Sequence, residues 1–378
     1  MIALARKTLV YEWRRFLPAV LAIAFSGVLL TVQAALVLGI FGSASVYVTG
    51  STADLWAGFP GTQSVNFGRA ISPDVEVRLR MDPDVTAVEP YVWVEGDWRD
   101  RGNTGGGVPV FVSGIETRAD AMMFARLIKP ATRRKLADPG AVVVDRADLA
   151  SLGVDDGATA WINGQRVHVV ATVAGLRALG GVNVLASIDT ARMLDAADAV
   201  PGSATYFVAR VRDPAKADAV RQRLVPDAAF GPFEVWTADA FATLSQRYWI
   251  FDTGAGVAVL FMAGIVCLVG AVITSQSLMA MVVASAREYA TLNALGASLS
   301  ALSRVVVEQS CWIGGLGLMV GGLASAALLS IAASRDVPVA LNVTVAAACA
   351  ALVIVLALVS GLIAVRGLSR ADPSMLLR

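Results

Sequence analysis

Four long stretches of the chain carry no charged residue: Phe16–Ala53, Thr253–Ala286, Gln309–Ser334 and Val337–Val365. A hydrocarbon core about 30 Å thick is crossed by about 20 apolar residues rising about 1.5 Å each, so each stretch is long enough to span it. Between the first and second the pattern changes. Prolines from Pro73 to Pro232 cut the chain into short pieces. Apolar groups bounded by turn residues predict strands at Val75–Leu79, Val108–Val112, Ala141–Val144, Ala158–Ile162, Val167–Val173 and Tyr206–Val211. Helices are predicted at Ala119–Ile128, Asp145–Leu152, Thr190–Ala197 and Pro214–Leu224. Asn163-Gly164 between two alternating runs predicts a hairpin with a type I′ turn. The fold class expected is an α-helical membrane protein with four transmembrane helices, plus an α+β extracytoplasmic domain inserted between helices 1 and 2.

Composition sharpens this division. The 378 residues are 56% hydrophobic and 16% charged, against about 25% charged in an ordinary globular domain. Between Asp54 and Asp252 there are 21 Lys and Arg and 25 Asp and Glu, leaving 10 basic and 5 acidic residues for the rest of the chain. Net charge +1 gives no broad basic footprint for nucleic acid. Cys267, Cys311 and Cys349 all fall in apolar runs, so the middle segment has no disulfide framework. The single histidine, His168, sits in an alternating run that reads as strand and is given a structural role. No Gly-Lys dipeptide, HExxH, CxxC or GxSxG occurs. The chain therefore has no Walker A loop, no catalytic residue and no metal site is assigned, and ionisable groups are almost lacking within the apolar runs.

Orientation follows the basic residues beside the spans. Arg6, Lys7, Arg14 and Arg15 precede the first, Arg287 and Arg304 lie between the second and third, and Arg366, Arg370 and Arg378 follow the fourth. These regions are expected inside, with the middle segment and the link Arg335–Pro338 outside. The first run exceeds a signal-peptide core and reads as an uncleaved anchor that continues outward as a stalk. In the third run, Gly317 and Gly321 form a GxxxG spacing suited to helix packing within the chain or to a dimer contact.

The cytoplasmic stretch Arg287-Glu288-Tyr289-Ala290-Thr291-Leu292-Asn293-Ala294-Leu295-Gly296 places Tyr289, Leu292 and Leu295 on one helical face, with Gly296 able to end the helix. Such a helix suits a partner's groove. This segment resembles the R-E-x-[AG]-x-L-[KR]-A-[LMI]-G coupling segment of FtsX/MacB-type ABC transporter permeases, with Asn293 where a basic residue is usual. The tail Ala364–Ser374, with Arg366 and Asp372-Pro373, is similar to the ending of the same family. Glu288–Leu292, the tail and Tyr248-Trp249 look closest to DevC-like permeases.

The resemblance implies a permease subunit in the bacterial inner (cytoplasmic) membrane that dimerises and pairs with a separate ABC ATPase. ATP and Mg would be bound by that partner and no cofactor by this chain. Arg287, Glu288, Tyr289, Leu292, Leu295 and Gly296 would form the coupling site. The implied segments are 1–15 cytoplasmic, 16–53 helix 1 and stalk, 54–249 extracytoplasmic, 250–286 helix 2, 287–304 coupling region, 305–334 helix 3, 335–338 link, 339–365 helix 4, and 366–378 tail. The implied function is export of a lipidic or amphipathic substrate by mechanotransmission, in tripartite relatives with a membrane fusion protein and an outer-membrane channel. The alternative is an FtsX-like regulator that activates an extracytoplasmic partner such as a cell-wall hydrolase.

The topology is directly testable. With the three native cysteines replaced by alanine, Asn103→Cys should react with an impermeant thiol reagent in cells whose outer envelope is permeable, and Ser298→Cys should not. The reverse labelling would overturn the orientation.

Overall fold

The computed structural model describes residues 13–100, 107–155, 157–195, 200–224, 228–284 and 299–370. In chain order its elements begin with helix α1 (Trp13–Ser43), α2 (Val46–Thr49), strand β1 (Leu55–Gly58), α3 (Asp74–Arg80), β2 (Val85–Arg99) and β3 (Val108–Ile115). There follow α4 (Pro130–Lys135), β4 (Ala141–Asp145), α5 (Leu149–Leu152), β5 (Thr159–Ile162), β6 (Gln165–Val173), β7 (Val182–Ser187) and α6 (Ile188–Leu194). The last are β8 (Tyr206–Val211), α7 (Ala217–Arg223), β9 (Glu234–Thr237), α8 (Ala238–Arg247), a π-helical turn (Tyr248–Asp252), α9 (Gly254–Ala284), α10 (Leu299–Ser334) and α11 (Val343–Arg370). The described residues form two compact units, Ile40–Gly256 and the remainder, up to Gly39 and from Val257 onward.

In the Ile40–Gly256 unit the long strand β2 is the spine. Its first part pairs with β8, which pairs with β1 and β1 with β9, giving a four-stranded antiparallel sheet. Its second part pairs with both β3 and β5. The remaining pairings β3–β7, β7–β4, β4–β6 and β6–β5 close a six-stranded ring, so no ring strand has a free edge. Pro90 is tolerated in this spine because it pairs only with Phe207 of β8, while the β3 register begins at Val92.

Alternation decides what each face buries. Val92, Val94, Val110, Val112, Val142, Val144, Val167 and Val169 pack with Trp98 in one cluster of alternate strand positions. Leu55, Ala57, Phe207, Ala209 and Val211 face α3 and α7 in a second. The opposite faces build an aromatic cluster around Trp56, Tyr91 and Tyr206, joined by Tyr47 of α2 and Phe241 of α8. The hairpin predicted at Asn163-Gly164 is present, with φ of 51° and 79° at the two turn residues and Ile162 opposite Gln165.

Three readings of the sequence are corrected. Val75–Leu79 is helical: Pro73 precedes α3, Asp74 and Glu76 occupy its first turn and Arg78 and Arg80 its last. The alternation that suggested a strand instead places Val75 and Leu79 four apart in the core, with Glu76 and Arg80 paired at 2.7 Å outside. Ala119–Ile128 is not a helix, because its amides are spent elsewhere. Met122 donates to Glu89 Oε2 at 2.8 Å, Phe124 to Ser51 Oγ at 3.0 Å and Arg126 to the Gly50 carbonyl at 3.0 Å. Phe124 takes φ of 54° as the chain turns. Finally, Ser43–Thr52 does not extend α1 as a stalk. The helix ends at Ser43, and Val46–Thr49 is a separate turn whose Tyr47 is buried in the aromatic cluster. Strands β1, β2, β7 and β9 have no counterpart in the sequence reading.

In the other unit, α1 over Phe16–Ser43, α9 over Gly256–Ser277 and α10 over Cys311–Ser334 are long and apolar enough to cross a membrane. Helix α11 carries a shorter apolar section, Val343–Val355. Leu21, Phe25, Phe261, Leu268, Leu323 and Val343 are all exposed, a concentration of large apolar side chains that a lipid solvent explains. Phe16, Ala19, Ile23, Ser26 and Leu30 form the buried stripe of α1, spaced alternately three and four apart.

The soluble fold should respond to pH through Asp82. Arg223 donates to Asp82 Oδ2 from Nε at 3.0 Å and to Oδ1 from Nη2 at 2.8 Å, tying the end of α7 to the approach to β2. This pairing with Arg223 holds the Asp82 carboxyl below its usual range, against a smaller desolvation penalty. A carboxylate depressed on folding stabilises fully above its unfolded pKa of about 3.9 and loses that contribution as pH falls through the lower folded value. The difference in thermal midpoint between wild type and Arg223→Gln, followed by tryptophan fluorescence, should be greatest near neutrality and shrink below about pH 4.

Candidate transmission site

Helix α1 touches each of the other three helices in its unit. Towards α9, Ser26 Oγ donates to its own Ala22 carbonyl at 2.9 Å and also lies 3.2 Å from the Gly270 carbonyl. A Cβ at Gly270 would lie 3.3 Å from Ser26 Cβ, so glycine lets the two backbones approach. Towards α10, a Cβ on Gly317 would sit 2.6 Å from Ile23 Cγ2, and one on Gly321 would sit 2.8 Å from the Ala24 carbonyl oxygen. Towards α11, Gly27 faces Val353, and the preceding link is held where Ala340 donates to the Ala35 carbonyl at 3.0 Å. Gly39 is closest of all, since a Cβ there would run into the Pro338 carbonyl.

Gly317 and Gly321, the residues named for helix packing or a dimer contact, lie against Ile23 and Ala24 of α1. Ser26, Gly27, Gly39 and Gly270 belong to the same contact set, and the sequence reading passed over them. The available signal was weak, a serine and scattered glycines within otherwise apolar runs.

The Ile40–Gly256 unit has a comparable clamp where its chain enters and leaves. Gln246 Nε2 of α8 donates to Ser45 Oγ, just before α2, at 2.8 Å. Trp249 Nε1 donates to Ser64 Oγ at 3.2 Å, while Phe67 meets Tyr248 edge-on at 5.2 Å and stacks on Trp249 at 6.2 Å. Phe241 packs on Trp236 at 4.8 Å and on Trp56 at 5.6 Å, so α8 is anchored in the aromatic cluster. The first and last elements of this unit are thereby joined by polar and aromatic contacts. Burial raises the pKa of Tyr91 and Tyr206 well above the ordinary phenol value, so both remain neutral and serve as packing groups.

The residues assigned to coupling, Arg287, Glu288, Tyr289, Leu292, Leu295 and Gly296, lie outside the described residues. His168 stands in β6, opposite Ala141 and Thr159. Among the described residues no cluster of three metal-binding side chains occurs.

Residues 260–373 match the family described as FtsX-like permease C-terminal. That segment is FtsX-like. The match takes in most of α9, all of α10 and α11, and the stretch between α9 and α10. No curated protein matches the chain. Among solved structures, the periplasmic region of MacB from Actinobacillus actinomycetemcomitans is 14% identical, with 52% of this chain and 94% of that one covered at a TM-score of 0.36. The extracellular domain of the noncanonic ABC-type transporter YknZ from Gram-positive bacteria is 10% identical, covering 49% and 100% at 0.33. A domain of a permease protein from Porphyromonas gingivalis is 13% identical, covering 49% and 88% at 0.31.

The packing of these helices is testable on one of them. Gly317→Leu must displace Ile23 and should destabilise the helical unit by about 1–3 kcal/mol, as overpacking does. Gly315→Leu, which meets nothing within 4 Å, should leave the detergent-solubilised chain near wild type in thermal midpoint.

Proposed function

We propose that this chain is the membrane subunit of an ABC-type system in the bacterial inner membrane. In this reading a separate ATPase binds ATP and Mg, and its closure is passed through the four helices to an extracytoplasmic domain formed by 54–249. The observation that carries the reading is the family match over 260–373, which includes Arg287–Gly296 with the helices on both sides of it. A helix pair joined by a short amphipathic segment can receive a push at that segment and convey it along its length. The close backbone packing of α1 on α9 and α10 supports this role, because a lever must not absorb the stroke by yielding. The clamp of Gln246 on Ser45 supports it at the other end, since displacement at α8 would be felt at α2.

Export of a lipidic or amphipathic substrate, as in DevC-like permeases, is the output proposed. Dimerisation of the chain, and a membrane fusion protein with an outer-membrane channel as further partners, belong to the same proposal. The apolar helices carry few polar groups, which suits a subunit that drives an external domain better than one that conducts a polar solute between its helices.

The test is co-purification with the cognate ABC ATPase. Glu288→Lys, and separately Leu292→Asp with Leu295→Asp, should reduce ATPase recovery at least tenfold while the chain still inserts in the membrane. Undiminished recovery with both variants would remove the coupling assignment.

A further inference from the structure

Between α1, α10 and α11 lies an apolar cavity of about 240 Å³. Gly27 and Thr31 line it from α1, Gly322 and Ser325 from α10, Leu341 from the link and Val353 from α11. Its size exceeds that of an engineered cavity of about 150 Å³ that takes up benzene. One feature is out of keeping with an apolar wall. Ser325 is only 2% exposed, and its Oγ has no hydrogen-bond partner among the described residues. Serines in helices at membrane depth ordinarily turn back on the preceding turn, and neighbours on α10 do so: Ser330 Oγ donates to the Ala327 carbonyl and Ser334 Oγ to that of Ile331, both at 2.8 Å. The more deeply buried serine instead lines the cavity with its hydroxyl unspent, which lipid cannot remedy as water would.

We propose that this cavity binds a single-chain neutral amphipath, such as a long-chain alcohol, whose polar head pairs with Ser325 and whose chain lies along the apolar wall. Depth argues for a single chain. Ser325 is nine residues before the end of α10 at Ser334, about 13 Å along the axis at about 1.5 Å per residue. A glycerophospholipid keeps its ester groups at the membrane margin and would leave Ser325 unpaired. A single-chain molecule with an uncharged head can carry its hydroxyl to that depth. The residues that test the cavity, Gly322 and Ser325, lie outside Arg287–Gly296 in the chain, so the site is tested apart from the coupling assignment.

The probe is a long-chain alcohol bearing a diazirine in its chain, applied to the full chain reconstituted in vesicles of phosphatidylethanolamine and phosphatidylglycerol. Cross-linked peptides should map to 318–329 and 346–353. Gly322→Leu fills the cavity, and because a Cβ there meets nothing within 4 Å it should fold normally while labelling falls at least fivefold. Ser325→Ala should lower labelling by the alcohol while leaving unchanged that by an alkane bearing the same diazirine. Labelling spread evenly over the exposed faces, indifference to Gly322→Leu, or equal labelling by a diazirine phospholipid with no effect of Ser325→Ala would each overturn the proposal.

Discussion

Close approach of one backbone to another is the constraint on which the helical unit depends. In lipid the hydrophobic drive that packs helices in water is lost, because the solvent is as apolar as the side chains. What remains is dispersion between well-fitted surfaces and a few polar contacts. Gly270, Gly317 and Gly321 supply the fit by presenting bare backbone to α1, and Ser26 supplies a polar contact by facing the Gly270 carbonyl. Enlarging such a glycine removes more than a methyl's worth of space, since it forces two helix axes apart and weakens every contact along them.

The Ile40–Gly256 unit obeys the opposite solvent. There alternating strands bury one side chain in two, and β2 serves both sheets because it is long enough to pair with β8 near its start and with β3 and β5 near its end. Closing the ring removes edges that could pair with another chain. The aromatic cluster then ties α2, the sheet and α8 into one body. Its charged groups are paired at margins, as with Asp82 and Arg223, or buried with backbone partners, as with Glu89. Glu89 accepts from the Met122 amide at 2.8 Å and has its pKa raised by burial.

These two packing regimes answer two solvents. The lipid-facing helices are closely packed where α1 crosses them and apolar elsewhere, while the polar clamp of Ser45 with Gln246 lies where the water-soluble unit begins and ends. The exception is Ser325, a buried hydroxyl in an apolar wall with no hydrogen-bond partner among the described residues. An unsatisfied group in lipid is costly enough to call for a ligand.

Much of this was legible in the chain. The absence of charge over four runs located the helices, because burying an ion in hydrocarbon is prohibitive over any such length. Asn163-Gly164 located a hairpin, because both residues tolerate positive φ. Arg287–Gly296 pointed to the family by its residue order alone. Local pattern failed where distant partners decided. Asp74–Arg80 alternates like a strand but carries the charge order and the i,i+4 pair of a helix, and Ala119–Ile128 has helical composition but gives amides to Glu89, Ser51 and Gly50. The sequence by itself determined which segments meet lipid and which meet water, since transfer free energy is a property of each residue. Only the tertiary structure decided that β2 closes a ring, that Gly317 and Gly321 face α1, and that Ser325 lines a cavity, since those depend on which surfaces meet in space.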